Sequence, residues 1–153
     1  MKHVLVTGAS TGIGYSAVEH LINSGYGVFG SVRKQEDATR LQSVFGENLT
    51  PLIFDVTDED AILESVKVVE SKLTSTDQLV AIVNNSGIAL GGPIQHLPTD
   101  IYRKQFEVNL FGVVSVTRSY LKLLGAYRGS THQGRIVMIS SVSGKRSFPF
   151  VAP

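Results

Sequence analysis

Cysteine is absent from all 153 residues, which excludes disulfides, thiolate nucleophiles and sulfur-ligated metals. An excess of one charge is missing too: 14 Lys and Arg face 13 Asp and Glu, a formal net charge of +1. That balance supplies no basic field for nucleic acid or an anionic membrane, and neither is expected as a partner. Long hydrophobic runs are also lacking. Only Val4-Leu5-Val6 precedes the first glycine turn, against the roughly 7–15 apolar residues of a signal-peptide core. No stretch approaches the roughly 20 apolar residues of a membrane-spanning helix. With no cysteine and no export signal, a cytoplasmic protein is expected, and Asn48-Leu49-Thr50 reads as a chance match to the glycosylation acceptor pattern. His3, His20, His96 and His132 are scattered without metal-ligand spacing, so no metal is expected.

What is present is enough apolar material, 42% of the chain, for one sizeable core, and residues 1–153 are expected to form a single domain. Short runs rich in Val, Ile, Leu and Phe recur at Val4–Val6, Val28–Val32, Leu52–Phe54, Leu79–Val83 and Ile136–Ile139. They are apolar on both faces instead of alternating, as in a parallel sheet covered on each side. The segments between them read as helices: Gly12–Ser24, stopped by Gly25, a shorter one around Arg40–Phe45, one capped by Asp58 and ending near Thr74, and a long one from about Thr99 to Tyr127. The fold class is therefore α/β, with right-handed crossovers between parallel strands. Apolar residues point around most of the long helix. Either it runs through the core, or it has a second packing partner in another subunit or in further chain. An intact protein that is a homodimer or homotetramer is the corresponding expectation.

The strongest chemical signal is Val4-Leu5-Val6-Thr7-Gly8-Ala9-Ser10-Thr11-Gly12-Ile13-Gly14, a strand, a glycine-rich turn and a helix start in the first βα unit. Glycines there let the backbone turn sharply and let a pyrophosphate approach without a Cβ in the way. Free N–H groups at the helix start add donors and a partial positive charge.

Thr7-Gly8-x-x-x-Gly12-Ile13-Gly14, then Asn84-Asn85-Ser86-Gly87 after the fourth strand, Asn109 in the long helix and Ser140-Ser141 closing the fifth strand together resemble the classical short-chain dehydrogenase/reductase family. The resemblance covers the whole chain, with Ser86 standing where the family usually has alanine. It implies a doubly wound Rossmann-type sheet with helices on both faces, an NAD or NADP cofactor, and hydride transfer between its nicotinamide and an alcohol/carbonyl substrate. Carried over by position, Gly8, Ser10, Thr11, Gly12, Ile13 and Gly14 would surround the pyrophosphate. Asp55 and Val56 would face the adenine, Asn84 would sit beside the adenosine ribose and help hold the central strands, and Ser86 and Gly87 would complete the cofactor wall.

The end of the second strand bears on the choice of cofactor, because an acid there accepts hydrogen bonds from a free 2′-hydroxyl and repels a 2′-phosphate. Ser31-Val32-Arg33-Lys34 has no acid, and Arg33 offers a guanidinium fork for phosphate, so NADP is expected over NAD. The basic residue that some relatives carry before the second glycine is Thr11 here.

For catalysis the resemblance assigns Ser141 to the substrate oxygen and Asn109 to a water in the proton relay, with Ser140 as a neighbour. The family completes the site with Tyr-x-x-x-Lys. Counting its usual thirteen residues from Ser141 leads just past Pro153, so the natural protein is expected to continue with that pair and with further strands and helices. A tyrosine of ordinary pKa near about 10 works as an acid/base at neutrality only beside a stabilising cation. Residues 1–153 alone are therefore expected to be inactive. A rival of another class, a non-catalytic dinucleotide-binding or regulatory module, would keep the glycine turn and lack the Tyr/Lys pair. Ala89, Leu90, Pro93, Phe148 and Phe150 would give the cleft an apolar wall suited to a steroid-, retinoid- or acyl-like substrate.

Overall fold

The computed structural model describes residues 1–146 and 149, and among these are five strands and five α-helices, with one helix after each of the first three strands and two after the fourth. β1 (Lys2–Val6), β2 (Gly27–Val32), β3 (Leu49–Ile53), β4 (Gln78–Asn84) and β5 (Arg135–Met138) form one sheet in the order β3-β2-β1-β4-β5. Every pairing is parallel. The helices are α1 (Gly12–Asn23), α2 (Gln35–Phe45), α3 (Glu59–Lys72), α4 (Thr99–Phe106) and α5 (Gly112–Tyr120).

The strand period of two explains the two apolar faces. Val4 and Val6 of β1 join Val28, Val32, Val18, Ala38 and Leu41 in one core layer under α1 and α2. Leu5, between them, turns the other way and joins Phe29, Ile62, Val69, Val116 and Tyr120 under α3 and α5. This is the doubly wound Rossmann-type arrangement.

Three boundaries differ from the sequence reading. β3 begins at Leu49, ahead of the expected Leu52, and carries Pro51 opposite Gly30. As an edge strand it tolerates a residue with no N–H to donate. α2 is a full 11-residue helix. The long helix is divided: a wider π-type turn, Glu107–Phe111, separates α4 from α5, and the helix ends at Tyr120. Close behind, Gly125 takes φ +79°, and a Cβ there would meet the His132 carbonyl oxygen at 2.3 Å. Val116 and Tyr120 are buried, whereas Phe106, Leu110, Phe111 and Val114 remain exposed. β5 forms the other edge, and its Ile136, Val137 and Met138 are also exposed.

Candidate functional site

In a sheet of this order the chain leaves β1 toward one side and β4 toward the other, and a crevice opens where they part. Buried Thr7 sits at that point. Its hydroxyl accepts the N–H groups of Asn85 and Ser86, both at 2.9 Å. The Asn85 carboxamide donates back to the carbonyls of Thr7 at 2.9 Å and Gly8 at 3.2 Å. The loops after β1 and β4 are thus tied into one floor.

Above that floor lies a cleft lined by four stretches of chain. Gly8, Ser10 and Thr11 come from the first turn; Ser31, Val32 and Arg33 from the end of β2; Phe54, Asp55 and Val56 from beyond β3; and Asn85, Ser86, Gly87 and Ile88 from beyond β4. Val108, from the π-type turn, closes one side. Eight residues proposed from sequence therefore meet here: Gly8, Ser10, Thr11, Arg33, Asp55, Val56, Ser86 and Gly87.

The three glycines of the turn act differently. Gly8 and Gly12 take φ +66° and +56°, the left-handed region that favours glycine. Gly14 is required by contact, since a Cβ there would lie 2.1 Å from the Gly8 carbonyl oxygen and 2.5 Å from Asn85 Nδ2. Gly12, Ile13 and Gly14 do not line the cleft, and Ile13 is 64% exposed. Their contribution is the helix start itself.

Not all amides of the turn are available to an anion. The Gly8 N–H donates to Ser31 Oγ at 3.3 Å and the Ala9 N–H to the Ser31 carbonyl at 2.9 Å. The first intrahelical bond of α1 runs from the Tyr15 N–H to the Thr11 carbonyl, and Thr11 makes no side-chain cap. The N–H groups of Gly12, Ile13 and Gly14 consequently have no partner within the helix, so the open donors and the dipole charge lie there. A cradle closed to side chains, with unspent donors at one end, fits a dinucleotide.

Asn84 is not among the residues that line the cleft. It is buried, and Nδ2 donates to Thr117 Oγ1 at 3.0 Å and Met138 Sδ at 3.5 Å. That bracing of β4 against α5 and β5 suits a role in holding the central strands, and Asn85, the first residue past β4, lines the cleft instead. Asn109, in the π-type turn, accepts the Ile88 N–H at 2.9 Å through Oδ1 and donates Nδ2 to the Ile88 carbonyl at 2.8 Å. Ser141 is exposed just beyond β5, outside the cleft lining, and its Oγ accepts the Ser143 N–H at 3.1 Å. Asp55 Oδ1 accepts both the N–H and the hydroxyl of Thr57, at 3.0 and 2.8 Å, which holds the carboxylate still.

A family model described as short chain dehydrogenase matches residues 2–153. The chain belongs to that family. It is 40% identical, over its whole length, to the NADPH-dependent 3-dehydrocapnine reductase of Ornithobacterium rhinotracheale, of which it covers 54%. The structure of ElxO with NADP bound superposes with a TM-score of 0.86 at 30% identity, over 98% of this chain and 59% of that one. The closed form of serine dehydrogenase complexed with NADP+ gives a TM-score of 0.82 at 29% identity, over 97% and 57%. The chain thus spans about half the length of the curated relatives it matches.

Sequence reasoning gave no role to Thr7, Ser31 or Asn85 in this member of the family. A buried hydroxyl at the end of an apolar strand was the available signal for Thr7 and Ser31. Among the described residues no group of His, Asp and Glu could hold a metal, and no helix is long and apolar enough to cross a membrane.

Proposed function

We propose that the protein carrying this chain is an NADP(H)-dependent oxidoreductase interconverting an alcohol and a carbonyl. The observation that carries the cofactor choice is Arg33, which lines the cleft directly after β2 where a residue hostile to a 2′-phosphate would be acidic. The names of the reductase and of the NADP-bound structures support it. When bound, the nicotinamide supplies or accepts the hydride.

The chain's own residues hold and orient. Gly12, Ile13 and Gly14 offer amide donors to the diphosphate, Arg33 pairs with the 2′-phosphate, and Asp55 Oδ2, the oxygen not used by Thr57, accepts from the adenine amino group. Ser141 already accepts a bond from the Ser143 N–H, so its hydroxyl proton is free to donate to a substrate oxygen. The Asn109 carboxamide makes one bond each way with Ile88, which leaves one Nδ2 hydrogen and one Oδ1 lone pair for a water in the relay.

A lipophilic substrate is the finer part of the proposal. The loop bearing Ala89 and Leu90 directly follows Ile88 of the cleft lining and is pinned by the Leu90 N–H donating to Gln105 Oε1 at 2.6 Å, which supports an apolar wall on that side. Phe148 and Phe150 lie outside the described residues.

Fluorescence titration of the intact protein with NADPH and NADH tests the assignment. Arg33→Ala is expected to weaken NADPH by about tenfold or more, the loss of a charge-assisted pair, with little effect on NADH. Equal losses for the two coenzymes would refute it.

A further inference from the structure

Arg40, near the middle of α2, reaches across to the glycine turn. Its Nη2 donates to the Ser10 carbonyl at 2.8 Å, bridging 30 positions of sequence, and to Asp37 Oδ1 at 2.7 Å. Asp37 precedes it by three residues on the same helix, so the pair shares one helical face. Arg40 does not line the cleft, but Ser10 and Thr11 do. A peptide group is planar and trans, so its carbonyl and N–H point in opposite directions. Holding the Ser10 carbonyl toward α2 therefore turns the Thr11 N–H away from α2, at the mouth of the anion-binding helix start. The side chain of Thr11 makes no capping bond that would fix this peptide instead.

We propose that Arg40 is a positioning residue for the coenzyme: steadied by Asp37, it sets the orientation of the Ser10–Thr11 peptide at the diphosphate end of the cleft. This rests on the reading of that cleft as a dinucleotide site. It assigns Arg40 work distinct from that of Arg33. Arg33 addresses a group that only NADP(H) carries, whereas the peptide held by Arg40 faces the diphosphate common to NADPH and NADH.

The two roles separate in the same fluorescence titration on the intact protein. Arg40→Ala is expected to weaken NADPH and NADH together, each by about tenfold for the loss of one charge-assisted hydrogen bond, leaving their ratio unchanged. Arg40→Lys, whose ammonium can still donate to both oxygens, is expected to restore most of the affinity. Asp37→Asn, which keeps the helix and removes the steadying charge, is expected to weaken both coenzymes by a smaller factor and stands in if Arg40→Ala does not fold. Loss of NADPH affinity alone would overturn the proposal in favour of direct phosphate contact. Unchanged affinity for both in Arg40→Ala, or in Asp37→Asn where that variant stands in, would overturn it outright. Failure of the unsubstituted protein to bind either coenzyme would remove the dinucleotide reading itself, a result distinct from a variant that matches its parent.

Discussion

Thr7 and Asn85 hold each other twice: the Thr7 hydroxyl accepts the Asn85 N–H, and the Asn85 carboxamide donates to the Thr7 carbonyl, both at 2.9 Å. The bonds span 78 positions of sequence and cross the gap where β1 and β4 part, which is where the cleft begins. Thr7→Val keeps the shape of the side chain but strands two amides, those of Asn85 and Ser86, that now share its hydroxyl. An unsatisfied buried donor costs about 1–3 kcal/mol. Thr7→Val is therefore expected to lose about 2–4 kcal/mol in urea unfolding, and Thr7→Ser to stay within about 1 kcal/mol of the parent. Equal stability of the valine and serine variants would show that packing, and not the hydroxyl, matters at this position.

Two glycines of the turn, Gly12 and Gly14, should rank by what each avoids. At Gly14 an added Cβ meets backbone, the Gly8 carbonyl oxygen at 2.1 Å, and the helix start must move away from the turn. At Gly12 nothing lies within 4 Å, and the only penalty is a φ of +56°, worth about 1–2 kcal/mol for a residue with a Cβ. Gly14→Ala is expected to abolish measurable NADPH binding. Gly12→Ala is expected to retain it, with thermal stability lowered by that smaller amount. The reverse ranking in a paired titration and melting experiment would contradict the contact geometry.

Most of the architecture was legible because it rests on patterns that local sequence carries. A strand buried on both faces must be apolar throughout, so the central strands announced themselves, and Gly25 marked the end of α1 by its backbone freedom at φ +83°. What escaped depended on tertiary context. Pro51 hid the first half of β3, because only the strand's place at the edge of the sheet makes a proline acceptable there. The π-type turn at Asn109 inserts no residue type foreign to a helix, and apolar residues around most of the circumference there leave no clean period whose break would mark it. In the site, the glycine turn and Arg33 were singled out by residue type and by their places after β1 and β2, and Asp55 by the family resemblance; the structure brings Gly8, Arg33 and Asp55 to one cleft. Asn84 and Asn85 were not separable in that way. They are the same residue type, and only their tertiary partners, Thr117 for Asn84 and the Thr7–Gly8 turn for Asn85, decide which one faces the cleft.

Ser65 and Tyr120 make a buried pair whose two members should not be equivalent. Their oxygens lie 2.6 Å apart, and Ser65 Oγ is also 2.6 Å from the Ile62 carbonyl, which can only accept. A serine hydroxyl has one proton, and Ile62 takes it, so Tyr120 must be the donor to Ser65. Ser65→Ala leaves the buried phenol with no acceptor and is expected to cost about 2 kcal/mol. Tyr120→Phe removes that donor, keeps the ring in the core and leaves only a lone pair of Ser65 unused, for about 1 kcal/mol or less. The double variant should cost less than the sum, since both partners vanish together. Burial pushes the Tyr120 phenol up to about 12. The folded value lies above the unfolded one of about 10, so the unfolded chain ionises first. The contribution of neutral Tyr120 is complete below pH of about 10 and is lost as pH rises toward 12. Chemical unfolding across that window should show the parent losing stability more steeply than Tyr120→Phe, and identical slopes would place the phenol in contact with solvent.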